Sequence, residues 1–156
     1  MKPENNRLDL EMHFKASALG AVAGLRAFTA PALLAYFASN RENDSSGRRK
    51  ISIVLGLLAA GELIGDKLPT TPNRTDAPGL IARIISGAAV GGLVCARGKK
   101  SVSAGIAIGA ASSVAAAYTG QHIRQALSDK SGIPSAVLGA VEDAIAIGIG
   151  ISALKD

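Results

Sequence analysis

The sequence has few of the side chains on which metal sites and large soluble cores are usually built. Its 156 residues include no tryptophan, one cysteine and two histidines, and aromatic residues make up 3%. One cysteine excludes an internal disulfide framework and a cysteine-based metal cluster. The two histidines lie far apart, which argues against a histidine-rich metal site. We therefore expect no cofactor and leave the identity of any metal ion unknown.

The chain also lacks the patterns of enzymes and nucleic-acid-binding proteins. Its 17 Lys+Arg and 12 Asp+Glu give a net charge of +5, but the basic residues do not form one run. Too few aromatics accompany them for a base-stacking surface. The glycine-rich stretch 87–92 lacks the strand and acidic residue of a dinucleotide loop, and no P-loop, HExxH or nucleophile elbow occurs. We expect a protein that is not an enzyme and has no nucleic-acid partner.

Small residues are abundant instead, with 18 glycines and many alanines. Small side chains allow helices to approach closely inside a membrane, where burial from water does not drive packing. Three glycine pairs with GxxxG spacing indicate such packing surfaces: Gly20/Gly24, Gly87/Gly91 and Gly105/Gly109.

Five apolar stretches follow a polar lead at residues 1–15, which lacks the order of a cleaved signal peptide. They cover residues 16–38, 51–68, 79–96, 101–127 and 133–154. As helices they would be about 27–40 Å long, against a hydrocarbon core of about 30 Å. Buried strands of a soluble α/β core do not run to 20 residues.

We therefore predict an all-α polytopic transmembrane helix bundle over residues 16–154, in the inner or plasma membrane. It has five spans, or four plus a re-entrant second or third segment. Similar residues near Glu62 and Glu142 suggest an inverted repeat of the first two and last two segments, as in some transporters. Basic residues divide almost equally between the two sides, and the clusters at 48–50 and 97–100 favour a cytoplasmic position for their side.

Five charged residues lie inside the predicted spans: Arg26, Glu62, Asp66, Glu142 and Asp143. Each costs about 2.5–3.5 kcal/mol at the centre of a membrane helix, so each needs a partner, water or neutralisation. Pro31, just after Arg26, should kink or break the first segment.

The spacing of these charges predicts their surroundings. Glu62 and Asp66 share a helix face, beside glycines 61 and 65, which would admit another helix. Glu142 and Asp143 point about 100° apart. We expect Glu142 to face the bundle centre and Asp143 to face a neighbouring helix or second subunit, with Arg26 as counter-ion to one carboxylate.

Two functions fit these charges. An excess of carboxylates would make an acidic midplane site for a cation or proton, in a transporter or channel for a small ion or solute. Alternatively, pairs such as Arg26–Glu62 and Arg124–Glu142 only hold helices together in a membrane scaffold or assembly protein. The expected partners are the lipid bilayer, a small ion or solute, and further copies of the chain.

Three stretches carry a family resemblance: residues 24–31, residues 61–75 (GELIGDKLPTTPNRT) and residues 142–146. They resemble the membrane-protein family known as domain of unknown function 4126, over about residues 16–154. The resemblance implies a multi-helix membrane protein and assigns no activity.

Overall fold

A computed structural model describes residues 3–41, 46–65, 77–131 and 134–155 of the chain. These residues form six helices: α1 (Pro3–Leu25), α2 (Thr29–Arg41), α3 (Ser46–Gly65), α4 (Ala77–Arg97), α5 (Val102–Ser131) and α6 (Ser135–Leu154). The described part of the chain contains no strand. The predicted all-α class is confirmed.

Helices α1, α4 and α5 form the tightly packed centre of the bundle. A Cβ atom added at Gly20 would lie 2.5 Å from the Gly109 carbonyl oxygen, and one at Gly91 would overlap the Gly105 carbonyl oxygen. Backbones can approach this closely only where no side chain separates them. The three predicted GxxxG pairs therefore do form packing surfaces within the chain.

The first predicted span is a helical hairpin rather than one helix. Helix α1 ends at Leu25 and α2 begins at Thr29. Val22 in the last turn of α1 and Leu33 in the second turn of α2 both approach Gly150 of α6. The chain therefore reverses direction between the two helices. Pro31 lies in the first turn of α2, where its missing N–H removes no intrahelical hydrogen bond.

Residues 98–101 connect α4 to α5, and we call the end of the bundle where they lie the α4–α5 end. The start of α1 and the last turns of α2 both lie at this end. Lys100 pairs with Asp9 of α1 at 3.0 Å. At the other end of the hairpin, Ala38 of α2 and Ile51 of α3 line a cleft together with Arg97 of α4. Both clusters of basic residues, 48–50 and 97–100, thus lie near this end, as the sequence predicts.

The tip of the hairpin lies about halfway along α5. Gly24 packs against Ser113, and Leu25 lies next to Gly120, while α5 runs from Val102 to Ser131. The hairpin therefore begins and ends at one end of the bundle and turns near its middle, which is the geometry expected of a re-entrant element. The sequence predicts five spans or a re-entrant second or third segment, whereas in the structure it is the first segment that turns back halfway along the bundle.

Three described helices are long and apolar enough to cross a membrane: residues 77–97, 102–129 and 137–154. A membrane protein is supported, and the predicted count of five spans is not confirmed. The last three predicted segments match α4, α5 and α6 closely. Residues 3–15, expected as a polar lead, are the first turns of α1.

A Cβ atom at Gly61 would meet nothing within 4 Å, so no described helix packs there and the predicted approach of another helix stays a prediction. The inverted repeat differs from the structure. It would match the hairpin α1–α2 with the continuous helix α5, and the described helices do not reproduce it.

Candidate functional site

The hairpin tip, Arg26–Ala27–Phe28, exposes backbone groups that a continuous helix would satisfy internally. Glu62 of α3 accepts two of the N–H groups: Ala27 N donates to Oε1 at 2.8 Å, and Phe28 N donates to Oε2 at 2.9 Å. The Ser86 hydroxyl of α4 donates to the Ala27 carbonyl oxygen. Side chains from two other helices thus satisfy three backbone groups of the break, as buried backbone requires.

Glu62 also lies at the beginning of α2, where the helix dipole favours a negative charge. The Arg83 Nη2 of α4 lies 3.8 Å from Glu62 Oε1. Arg83 is buried, as is Thr29, the first residue of α2, whose Oγ1 has no hydrogen-bond partner in the described part of the chain. The carboxylate is held by two backbone amides and a nearby guanidinium in a largely dry environment.

Arg26 forms the second charged contact of the tip. Its Nε donates to Asp143 Oδ1 of α6 at 2.5 Å, and its Nη2 contacts the same oxygen. Arg26 is 1% exposed and Asp143 is 7% exposed. Two hydrogen bonds from one guanidinium to a carboxylate compensate the burial of both charges. The tip is therefore tied to α6 on one side and to α3 and α4 on the other.

The third pair lies farther from the α4–α5 end. Arg124 Nη2 of α5 donates to Glu142 Oε2 of α6 at 2.7 Å. Two glycines give this pair its room: a Cβ at Gly120 would lie 3.2 Å from Glu142 Oε1, and one at Gly139 would lie 3.0 Å from Arg124 Nη2. Both residues line a cleft of about 350 Å³ between α5 and α6.

The structure brings together most of the predicted site residues, with several changes of partner. Arg26 is the expected counter-ion, and its carboxylate is Asp143 rather than Glu62. Asp143 contacts a neighbouring element of the chain through Arg26, as predicted, whereas Glu142 lines the cleft and not the bundle centre. The predicted Arg124–Glu142 pair is present. Asp66 lies outside the described residues.

The prediction of an excess of negative charge includes Asp66, which lies outside the described residues, so it stays a prediction. In the described helices, three arginines accompany three carboxylates: Arg26, Arg83 and Arg124 with Glu62, Glu142 and Asp143. Arg83 is absent from the predicted site because it lies near the start of its segment, and Arg124 enters the prediction only as a partner of Glu142. Their insertion cost, which is as high as that of Arg26, was the signal that could have identified them.

Within the described helices, no group of three His, Cys, Asp or Glu side chains is arranged to hold a metal ion. The charged contacts described above join arginine side chains to carboxylates.

The family model "Domain of unknown function (DUF4126)" matches residues 14–155. No curated protein and no solved structure matches the chain.

Proposed function

We propose, from the premise that the chain belongs to the family "Domain of unknown function (DUF4126)", that it transports a small ion or solute across a membrane. Glu62 at the hairpin tip is the residue on which transport depends. The observation that carries this proposal is the pair of hydrogen bonds from the broken backbone at Ala27 and Phe28 to the Glu62 carboxylate.

A break in a helix halfway through a bundle is costly in a membrane. Unsatisfied backbone groups in hydrocarbon cost several kcal/mol each, so irregular backbone at this depth is tolerated only inside protein or beside a water-filled cavity. Transporters commonly place their binding sites where helices are interrupted near the midplane. A protein that only holds other helices together has no need of such a break.

The hydrogen bonds at the tip depend on the charge of Glu62. As a carboxylate it accepts from both amides with both oxygens. A protonated carboxyl group keeps one carbonyl acceptor, while its hydroxyl oxygen is a weaker acceptor and carries a hydrogen of its own. Binding of a proton or a competing cation at Glu62 would therefore release part of the tip. This gives two states of the hairpin that a transported ion can interconvert.

The test measures flux in proteoliposomes containing the purified full chain. Entrapped pyranine reports proton movement under a potential set with valinomycin, and Na⁺, K⁺ and Cl⁻ gradients are imposed in turn. We expect flux above that of protein-free liposomes for at least one gradient. Glu62→Gln should abolish it, because the amide side chain offers one acceptor oxygen and places a donor beside the second backbone N–H.

The matched control is Glu11→Gln, which changes an exposed carboxylate on α1 that pairs with Lys15 one turn away. It should carry the same flux as the wild type. Both variants should elute as monodisperse protein, so that a loss of flux is not a loss of folding. Wild-type protein without flux in any gradient, or Glu62→Gln with unchanged flux, would contradict the proposal.

A membrane scaffold is the second candidate, and helix α3 is the observation that favours it. Six of its large apolar side chains are exposed: Ile51, Ile53, Val54, Leu57, Leu58 and Ile64. Gly61 on the same helix is open to an approaching helix. A chain that shows no flux while it is extracted as assemblies of several copies would favour this function over transport.

A further inference from the structure

The cleft between α5 and α6 exists because the re-entrant hairpin ends halfway along the bundle. Leu25, the last residue of α1, lies against Gly120 and forms part of the wall of the cleft. Beyond this level α5 continues to Ser131 with no part of α1 beside it. Helix α6 begins at Ser135 and packs less extensively on α5 than α1 and α4 do. The cleft occupies the space that a full first span would fill.

Most of the cleft wall is apolar. Besides Leu25 its apolar lining residues are Ala116, Ile123, Leu127, Leu138, Val141 and Ile145. Four of these are about half exposed in the chain alone: Ile123, Leu127, Val141 and Ile145. The volume of about 350 Å³ is at the lower end of the roughly 300–1,000 Å³ of small-molecule sites. An apolar chain would cover these side chains.

Arg124 supplies a hydrogen-bond donor to this cleft. Its Nη2 is bound to Glu142, while its Nε has no hydrogen-bond partner among the described residues. About a fifth of the side chain is exposed. Because Glu142 already offsets the charge, a neutral acceptor oxygen suits this guanidinium better than a second anion does. Arg124 also lies five residues inside the end of the candidate span 102–129.

We infer that the α5–α6 cleft binds one membrane glycerolipid, with an acyl chain along the apolar wall and an ester carbonyl oxygen accepting from Arg124. An ester carbonyl lies deeper in the bilayer than the phosphate of the same lipid, which fits the position of Arg124 inside the span. The occupant is a lipid rather than a soluble solute, because the exposed apolar wall belongs to two candidate membrane-spanning helices. This inference does not depend on transport.

Native mass spectrometry of the delipidated full chain tests it, with ester-linked and ether-linked phosphatidylcholine of the same chain length as probes. We expect one bound ester lipid per chain and about tenfold weaker binding of the ether lipid, which lacks the carbonyl acceptor of a charge-assisted hydrogen bond. Phosphatidylglycerol should bind no better than phosphatidylcholine, since Glu142 offsets the charge of Arg124.

Three variants complete the test. Arg124→Gln should bind ester and ether lipids equally weakly, whereas Arg49→Gln, a change at an exposed arginine on α3, should bind as the wild type does. Val141→Trp should fill the cleft and prevent binding while leaving Arg124 in place, and its half-exposed position makes the change compatible with folding. Equal ester and ether binding to the wild type, a strong preference for phosphatidylglycerol, or full binding to Val141→Trp would overturn the inference.

Discussion

Two adjacent acidic residues of α6, Glu142 and Asp143, have different surroundings. Asp143 pairs with Arg26, whose side chain is 2% exposed, and Glu142 pairs with Arg124, whose side chain is 20% exposed. Removing one partner of a buried pair leaves an uncompensated charge in a dry environment. The same substitution at Glu142 and at Asp143 therefore compares a partly exposed ion pair with a buried one in a single helical turn.

We predict that Asp143→Ala destabilises the protein by about 3–5 kcal/mol, and that Glu142→Ala destabilises it by less than half as much. The reason is that Arg26 has no route to solvent, whereas the cleft gives Arg124 access to water or lipid headgroups. Thermal unfolding in one detergent measures both. Equal decreases in Tm for the two variants would show that Arg26 and Arg124 are equally desolvated. That result would contradict the different exposures of the two ion pairs.

The sequence identifies most of the buried charges at this scale but few of their partners. The insertion cost of a charge depends on its residue type and depth, both of which a span assignment supplies, so Arg26, Glu62, Glu142 and Asp143 could be selected. Their partners depend on how helices rotate about their axes. Glu62 binds backbone amides that become free only because the helix breaks, and no spacing of side chains predicts such a partner.

Helix contacts distinguish two kinds of glycine among the described residues, those that meet the backbone of another helix and those that meet nothing. A Cβ at Gly109 of α5 would overlap the carbonyl oxygen of Gly87 on α4, which is rigid backbone. A Cβ at Gly56 or Gly61 of α3 would meet nothing within 4 Å. Both groups look alike in the sequence, because spacing alone does not say whether a helix face is covered by another helix.

We predict that Gly109→Ala disrupts the α1–α4–α5 centre, lowering Tm sharply or preventing recovery of folded protein. Gly61→Ala should leave Tm unchanged or raise it, since alanine is favoured over glycine inside a helix by up to about 1 kcal/mol. Size-exclusion profiles and thermal unfolding of the two variants provide the measurement. A folded, stable Gly109→Ala protein would show that the helices are farther apart than described.

In the first apolar segment, the sequence predicts helical structure but not the reversal of the chain between α1 and α2. Residues 16–38 have the length and composition of one span, and the proline after Arg26 indicates a break. A break alone is compatible with a kink or with a reversal. The reversal depends on tertiary contacts: Glu62 and Ser86 bind the tip, and Gly150 accommodates Val22 and Leu33 together.

For the whole molecule, composition predicts the membrane and the helical class because abundant small residues and long apolar stretches are averages over the chain. The number of crossings is a different kind of property. It depends on whether each segment crosses the membrane or turns back. A reversal at Arg26–Phe28 therefore changes the side of the membrane on which all residues before it lie. Three of the described helices are long and apolar enough to cross a membrane.

The side of the membrane on which the two ends of the hairpin lie tests the central claim, that the first segment is re-entrant and turns at Arg26–Phe28. In a Cys95→Ala background, the pair Arg7→Cys and Arg49→Cys is labelled in sealed vesicles with a membrane-impermeant maleimide. Intact mass then counts labels per molecule, which makes the result independent of mixed insertion. The control pair Arg7→Cys and Asp129→Cys joins opposite ends of the bundle and should take up one label.

The account predicts that molecules of the Arg7 and Arg49 pair carry either two labels or none, because both positions lie at the α4–α5 end. A single label on each molecule would place them on opposite sides of the membrane, and the first segment would then cross it as one span.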